Sequence, residues 1–382
     1  MNPNISYINR DIESKIKNSL NQGKVIVVYG ARQVGKTTLL KNIFEKLDIP
    51  YLYLSCEEQR VKTKLVPDYL ELKKMIGDYK YIILDEAQNL ENPGLILKIL
   101  IDNNPSLNII ASGSSSFDLA NKISEPLTGR HFKFMLYPFS YNEIKKNVLG
   151  IDMDFTWRES LLFGAYPKIF TTENNTEKID LLSLLSSDYL YKDILTYGLV
   201  KNNQKIHDLL VALALQLGNE VSYNELSILL SIDYKTVERY IDLLEKSFVI
   251  FRLRGLSRNL REELKGKVKI YFYDLGIRNS LLNNFTELKL RMDVGSLFEN
   301  YFVLEKIKSY QKGTRVPNIY FWRTYTQKEI DFIEEVDGKF KAYEIKYSSK
   351  KTISKATKEE FMKSYPTESI KVISSDNLGE EI

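Results

Sequence analysis

Gly30-Ala31-Arg32-Gln33-Val34-Gly35-Lys36-Thr37-Thr38 fits the spacing G-x-x-x-x-G-K-[ST] at every fixed position. The run before it, Lys24-Val25-Ile26-Val27-Val28-Tyr29, reads as a buried strand. The run after it, Thr38-Leu39-Leu40-Lys41-Asn42-Ile43, reads as a helix. Strand, loop and helix in that order are the setting the motif requires. Gly30 and Gly35 let the backbone bend so that its N–H groups converge on phosphate oxygens, and the helix dipole adds positive potential there. Lys36 is expected at the β- and γ-phosphates and Thr37 on Mg²⁺. The stretch from Gly30 to Thr38 therefore implies a nucleoside triphosphate site.

The 382 residues allow two or three domains, and 43% hydrophobic with 27% charged residues is the balance of a globular protein. Cys56 is the single cysteine, which excludes a disulfide framework and a cysteine-ligated zinc site and suits a reducing cytoplasm. His131 and His207, the two histidines, exclude a histidine-rich metal site. The first residues, Met-Asn-Pro-Asn-Ile-Ser, lack a basic segment followed by an apolar one, so no signal peptide is expected. Leu209 to Leu217 is the longest apolar run and Gln216 interrupts it, so no membrane span is expected.

Downstream of the glycine loop, Tyr51 to Cys56 reads as a second strand. Tyr81-Ile82-Ile83-Leu84-Asp85-Glu86 is an apolar strand ending in two acids. Beside a phosphate loop that is the Walker B arrangement: Asp85 would hold Mg²⁺ through water, and Glu86 would polarise the attacking water. Asn108 to Ser114 is the next strand with a polar tip. Ser112 or Ser114 either contacts the γ-phosphate or attacking water, or is simply a solvated strand end. Arg130, after the turn Pro126-Leu127-Thr128-Gly129, is either an arginine that stabilises transition-state charge from a neighbouring subunit, in a homo-oligomer, or a surface arginine.

Gly30 to Thr38, Leu84-Asp85-Glu86-Ala87-Gln88, Gly113-Ser114-Ser115 and Leu127-Thr128-Gly129-Arg130, followed by Tyr137-Pro138-Phe139-Ser140, resemble a prokaryotic AAA-type family. Its members bind ATP and carry a C-terminal domain of uncharacterised function. The resemblance continues through Gly164-Ala165-Tyr166-Pro167 and Tyr273-Asp274-Leu275-Gly276-Ile277-Arg278-Asn279, two markers with no chemistry attached to them. Tyr191-Lys192-Asp193-Ile194 likewise has no derivable chemistry.

From Tyr141 to about Leu199 the pattern is helical, broken by the polar run Thr171 to Lys178, and is expected to form a lid or bridge on the ATPase. Ile206 to Leu217 reads as a helix. Ser222-Tyr223-Asn224-Glu225 is a capping box opening a helix with Leu226, Leu229 and Leu230 on one face. Ser231-Ile232-Asp233 then turns into Tyr234 to Lys246, with Val237, Tyr240, Ile241 and Leu244 inward. With strands Phe248 to Leu253 and Lys267 to Tyr273, the pattern looks like a winged helix. Its solvated face would offer Tyr234, Lys235, Glu238 and Arg239. Arg252 to Lys269 carries seven basic residues against Glu262 and Glu263, which favours contact with DNA phosphates over a protein-contact role.

Asp293 to Lys308 reads as a helix with Val294, Leu297, Phe298, Tyr301 and Leu304 inward, and it contains Glu299. Strands Asn318 to Thr324, Lys328 to Val336 and Lys339 to Tyr347 follow, the last two joined by the hairpin signal Asp337-Gly338, then a helix and a final strand. The order α-β-β-β-α-β, with Asp331 on the second strand and Glu344-Ile345-Lys346 on the third, looks like the PD-(D/E)xK nuclease superfamily. Residues two apart on a strand face one side, so Glu344 and Lys346 project together, and the hairpin brings Asp331 beside them. Asp331 and Glu344 would hold Mg²⁺, Lys346 would orient or deprotonate water, and Glu299 would complete the outer shell. Against this, Glu-x-Lys is a common solvated surface pattern.

The expected architecture is α/β. A P-loop AAA-type ATPase occupies 1–140, a helical lid or bridge 141–200, a winged helix 201–280, and a restriction-endonuclease-like α/β unit 281–382. The expected function is ATP-dependent binding or processing of DNA. The rival is a nucleotide-controlled switch whose C-terminal unit binds a partner and cuts nothing.

Overall fold

The computed structural model describes residues 7–114, 126–148, 152–189, 203–257, 268–313, 315–350 and 352–382. Tyr191 to Ile194, Ser115, and the stretch 258–267 between the two expected wing strands lie outside the described residues.

Five parallel strands form the first sheet: β1 (Val25–Tyr29), β2 (Leu52–Ser55), β3 (Tyr81–Asp85), β4 (Asn108–Gly113) and β5 (His131–Met135), in the order β2-β3-β4-β1-β5. β1 is apolar without alternation, and both β1 and β4 are buried along their whole length, as strands inside a sheet are. The order has a functional consequence. β4 lies between the strand that leads into the glycine loop and the strand that ends at Asp85, so the tip carrying Ser112 and Ser114 sits between those two motifs.

The second sheet has seven strands. In chain order they are β6 (Glu220–Val221), β7 (Ile250–Gly255), β8 (Val268–Phe272), β9 (Asn318–Arg323), β10 (Glu329–Val336), β11 (Lys339–Ile345) and β12 (Thr367–Ile373). Their order across the sheet is β12-β11-β10-β9-β7-β8-β6. The boundary expected at 280–281 therefore falls inside one hydrogen-bonded sheet, because β7 pairs in parallel with β9 at Arg254 with Tyr320 and Gly255 with Phe321. Asp337 and Gly338 both have positive φ, at 52° and 76°, as the two-residue hairpin between β10 and β11 requires. Helix Val294–Ser309, β9, β10, β11, helix Lys355–Ser364 and β12 give the order α-β-β-β-α-β.

In the middle of the chain, helix Asn203–Leu215 is followed by β6, helices Tyr223–Leu230 and Tyr234–Lys246, and then β7 and β8, and the three strands form the antiparallel set β6-β8-β7. Val237, Tyr240, Ile241 and Leu244 are buried as their spacing requires. One expectation needs correcting. Leu226 and Leu230 are buried but Leu229 is 66% exposed, because the helix Tyr223–Leu230 is short and its buried stripe is too narrow for a third leucine.

The two unexplained markers turn out to be the halves of one joint. Gly164 has φ +72°, and a Cβ there would lie 1.9 Å from Asp274 Oδ1. Asp274 Oδ2 accepts the Ala165 amide at 2.8 Å, and Oδ1 accepts the Ile277 amide at 3.2 Å, capping helix Leu275–Leu281. A Cβ on Gly276 would fall 2.1 Å from the Phe163 carbonyl oxygen. The Asn279 amide donates to the carbonyls of Leu161 and Leu162 at 2.8 and 2.9 Å. Burial pushes the Asp274 carboxyl up to about 6, although the backbone amides it accepts act the other way. The segment expected as a lid is thus locked to the segment expected as a winged helix.

Helix Val294–Ser309 ties the second sheet to the stretch that follows β5. Asn300 bonds both the amide and the carbonyl of Phe272 on β8, at 2.8 and 2.9 Å. One to two turns on, Glu305 accepts the Tyr141 amide at 2.8 Å and Lys308 donates to the Phe139 carbonyl at 2.8 Å. Among the described residues no helix is long and apolar enough to cross a membrane.

Candidate functional site

The glycine loop leaves β1 and enters helix Lys36–Leu47. Gly30 passes so close to the next strand's exit that a Cβ would lie 2.3 Å from the Leu136 carbonyl oxygen, and Gly35 caps the helix with φ +97°. The Lys36 ammonium is buried, 3.0 Å from the Gly30 carbonyl, 3.1 Å from that of Ala31, and 3.6 Å from Glu86. Arg10 braces the loop from behind. It donates to the Val34 carbonyl at 3.1 Å and to that of Tyr137, and pairs with Glu143 at 3.1 Å. A Cβ on Gly35 would be 3.8 Å from Pro167, so the Gly-Ala-Tyr-Pro marker also reaches the loop.

Opposite the loop, Asp85 is 4% exposed and held by three hydroxyls. Thr37 donates to Oδ2 at 2.6 Å, Tyr53 donates to the same oxygen at 2.7 Å, and Ser112 donates to Oδ1. Glu86 has left-handed backbone, φ 53° and ψ 46°, and its amide donates to Ser112 Oγ at 3.2 Å. Gln88 donates to the Glu86 carboxylate at 2.5 Å and to Ser114 Oγ at 3.0 Å, while its own Oε1 is buried without a hydrogen-bond partner. Ser112 and Ser114 are thus not a solvated strand end: one steadies Asp85 and the other is tied to Glu86 through Gln88.

These residues fit ATP with Mg²⁺. A hydroxyl and a carboxylate meet as hard oxygen donors at Thr37 and Asp85, and a buried ammonium stands beside a loop of backbone N–H groups. The ion, held by Thr37 and Asp85, would neutralise charge on the phosphate oxygens. Glu86 would polarise a water, and Gln88 bonds its carboxylate.

Arg130 lies elsewhere. It precedes β5, its carbonyl accepts the Val25 amide at 2.9 Å at the start of β1, and its guanidinium pairs with Asp102 at 3.0 Å, half exposed. The loop leaves the other end of β1, so Arg130 does not reach the loop of its own chain.

The C-terminal residues expected at a metal do come together, but around ammonium groups. Lys346 stands 2.7 Å from Glu344 and 3.3 Å from Asp331, and Asp331 also accepts the Ile345 amide at 2.7 Å. Asp331 is carried by a β-bulge, since the register of β10 on β9 shifts between Ile330 and Ile333. Lys269 of β8, 1% exposed, enters from the neighbouring segment. Its ammonium is 2.6 Å from Glu329, 3.0 Å from Glu299 and 3.8 Å from Asp331. Tyr271 donates to Glu299 at 2.6 Å. Burial, with Asp331 adding to it, pushes Glu299 and Glu344 each up to about 7. Among the described residues no three carboxylate, histidine or cysteine side chains are arranged to hold a metal ion. Where Mg²⁺ was expected, Lys269 and Lys346 engage oxygens of Glu299, Asp331 and Glu344, while Glu344 Oε2 has no hydrogen-bond partner.

The basic wing also shrinks. Lys269 is buried, and Arg252 pairs with Asp242 and Glu245, both at 2.8 Å. Arg258, Arg261, Lys265 and Lys267 lie outside the described residues. Tyr234, Lys235, Glu238 and Arg239 are exposed as expected.

Gln88, Tyr53, Lys269, Tyr271 and Glu329 were not anticipated. Lys269 had a signal: in Val268-Lys269-Ile270-Tyr271-Phe272 the apolar residues fall on both faces, so a charge there needs a buried partner.

Residues 22–145 match a family described as "AAA domain". Residues 154–288 and 294–377 match two families each described as a domain of unknown function (DUF8612 and DUF4143). An uncharacterised protein of Mycobacterium tuberculosis is 27% identical over 352 residues, covering 91% of this chain and 76% of its own. An uncharacterised protein of Methanocaldococcus jannaschii is 26% identical over 395 residues, covering 98% and 84%. Among solved structures, the RuvB Holliday junction branch migration motor of Thermotoga maritima overlaps 67% of this chain and 94% of its own at 16% identity, with a TM-score of 0.34. A score that low supports no inference. The AAA match, the parallel sheet and the assembled loop site together support an AAA-type ATPase domain at residues 22–145 that binds and hydrolyses ATP.

Proposed function

We propose that ATP turnover at the Lys36–Asp85–Glu86 site drives engagement of DNA by the middle of the chain, in a homo-oligomer working in the cytoplasm. The observation that carries the DNA reading is the helix Tyr234–Lys246. It follows a three-residue turn, buries its apolar stripe, and leaves Tyr234, Lys235 and Arg239 exposed beside the antiparallel set β6-β8-β7. Helices and strands in that order support a winged helix, and helix Tyr234–Lys246 would lie along the phosphate backbone or in the major groove. The test is ATP turnover and DNA retention with duplex, forked and single-stranded DNA at several salt concentrations. Stimulation that falls with salt, and that Lys235→Glu with Arg239→Glu removes, is expected. Turnover indifferent to every DNA would transfer the reading to the nucleotide-controlled switch.

The C-terminal unit has the element order and the Asp331, Glu344 and Lys346 set of a PD-(D/E)xK-like fold. The three carboxylates held by Lys269 favour the rival reading for this part of the chain: a partner-binding module that does not cleave.

Arg130 acts, in this reading, on the nucleotide of a neighbouring subunit, since it cannot reach its own. Arg130→Ala and Glu86→Gln proteins, each inactive alone, should regain part of the ATPase activity when mixed, because some interfaces then carry both native groups. A folded, oligomeric Arg130→Ala protein with full activity would remove Arg130 from the site.

A further inference from the structure

We propose that Lys269 is a built-in counter-cation that takes the place of a divalent ion, so that the wild-type cluster binds no divalent metal and loss of Lys269 creates a site for one. The inference rests on the geometry of the carboxylate cluster and on the nuclease-like reading of the C-terminal unit, and is independent of DNA contact.

An ammonium has three N–H donors and no acceptor, and Lys269 meets three carboxylates, Glu329, Glu299 and Asp331, at 2.6, 3.0 and 3.8 Å. It is 1% exposed on a strand buried along its whole length, so the charge is there for these partners and not for solvent. The carboxylates come from helix Val294–Ser309 and from β10, where Glu329 precedes the bulge and Asp331 lies in it, with Glu344 adjoining from β11. Glu344 is 7% exposed, and its Oε2 is buried without a hydrogen-bond partner, leaving one oxygen that an ion would take up. Lys346 stays on the far side of Glu344 and Asp331 in either case.

The origin of the cation matters as much as its position. Lys269 lies in the segment that matches one family, residues 154–288, and all its carboxylate partners lie in the segment that matches the next, residues 294–377. The ammonium therefore also ties the two segments together. Without it, the charge of Glu299, Glu329, Asp331 and Glu344 would be offset by Lys346 alone, and closing these carboxylates on a hard divalent cation would relieve it.

The test uses the full chain without nucleotide, with Asp85→Asn in every sample so that the ATPase site contributes no ion. Mn²⁺ binding is followed by electron paramagnetic resonance and by thermal melting. The parent should show no Mn²⁺ bound at the cluster and no change in Tm. Lys269→Ala, and Lys269→Met as the closer match in volume, should bind Mn²⁺ at least about tenfold more tightly than the parent and melt higher with it than without. If either variant is unfolded without metal, folding on addition of Mn²⁺ supports the proposal. Folded variants that bind no Mn²⁺, or variants that Mn²⁺ does not fold, overturn it. A parent that binds Mn²⁺ and loses it on Asp331→Asn also overturns it, and returns the cluster to a metal-dependent reading.

Discussion

Lys36→Ala should abolish ATP hydrolysis, and Glu86→Gln should leave nucleotide binding in place while stalling turnover. The two losses have different causes. Lys36 is a buried point charge between the loop carbonyls and Glu86. Removing it takes away charge stabilisation where the transferred phosphoryl group would develop it, a loss of at least about 10²-fold. Glu86 has a left-handed backbone conformation, and Gln88 and Ser112 fix its side chain and amide. Glutamine preserves the shape and the contact with Gln88 but cannot polarise water as a base, which costs about 10²–10⁴-fold in kcat. Steady-state phosphate release with fluorescent-nucleotide titration separates the outcomes. Unchanged turnover in either variant would sink the assignment of this site.

Gly164→Ala and Gly276→Ala should be among the most destabilising single-methyl changes in the chain. At Gly164 the new Cβ meets the Asp274 carboxylate at 1.9 Å, and the backbone has φ +72°. Strain of about 1–3 kcal/mol adds to overpacking of about 1–3 kcal/mol. At Gly276 the obstacle is the Phe163 carbonyl oxygen at 2.1 Å, and a backbone atom cannot rotate away as a side chain can. Domains of this kind are stable by only about 5–15 kcal/mol, so either change should lower the urea midpoint markedly. Gly295→Ala is the control. It lies in a helix with nothing within 4 Å of its added Cβ, and should stabilise by about 0.5–1 kcal/mol. Equal effects at all three positions would mean that the Gly164–Asp274 joint is not a tight contact.

The loop site was the most legible part of the sequence, because phosphate binding requires particular residues at fixed spacing within one strand–loop–helix unit. Lys36, Thr37, Asp85 and Glu86 converge as that spacing implied. Their supports were not legible. Tyr53 reaches Asp85 because β2 lies beside β3, and Gln88 reaches Ser114 because β4 lies next to β3 on the other side, and strand order is not written in any local pattern. Periodicity located the later elements well, down to the Asp337-Gly338 hairpin. It failed where two segments meet. Lys269 was counted with a solvated basic run because its carboxylate partners lie 30 or more residues downstream. The Gly-Ala-Tyr-Pro and Asp-Leu-Gly stretches carried no meaning until they were seen pressed together.

The seven-stranded sheet bears on how such a chain can be inherited. The two segments of uncharacterised function look like separate cassettes in sequence, yet they share a seam along β7 and β9, extended by the Leu256 amide donating to the Phe321 carbonyl at 2.7 Å. Cutting between them would leave two naked strand edges, each a template for indiscriminate pairing with other chains. Swapping one cassette between relatives would demand that register and twist at the seam be matched at once. Duplication or loss of either cassette alone would expose such an edge, which favours keeping the pair together.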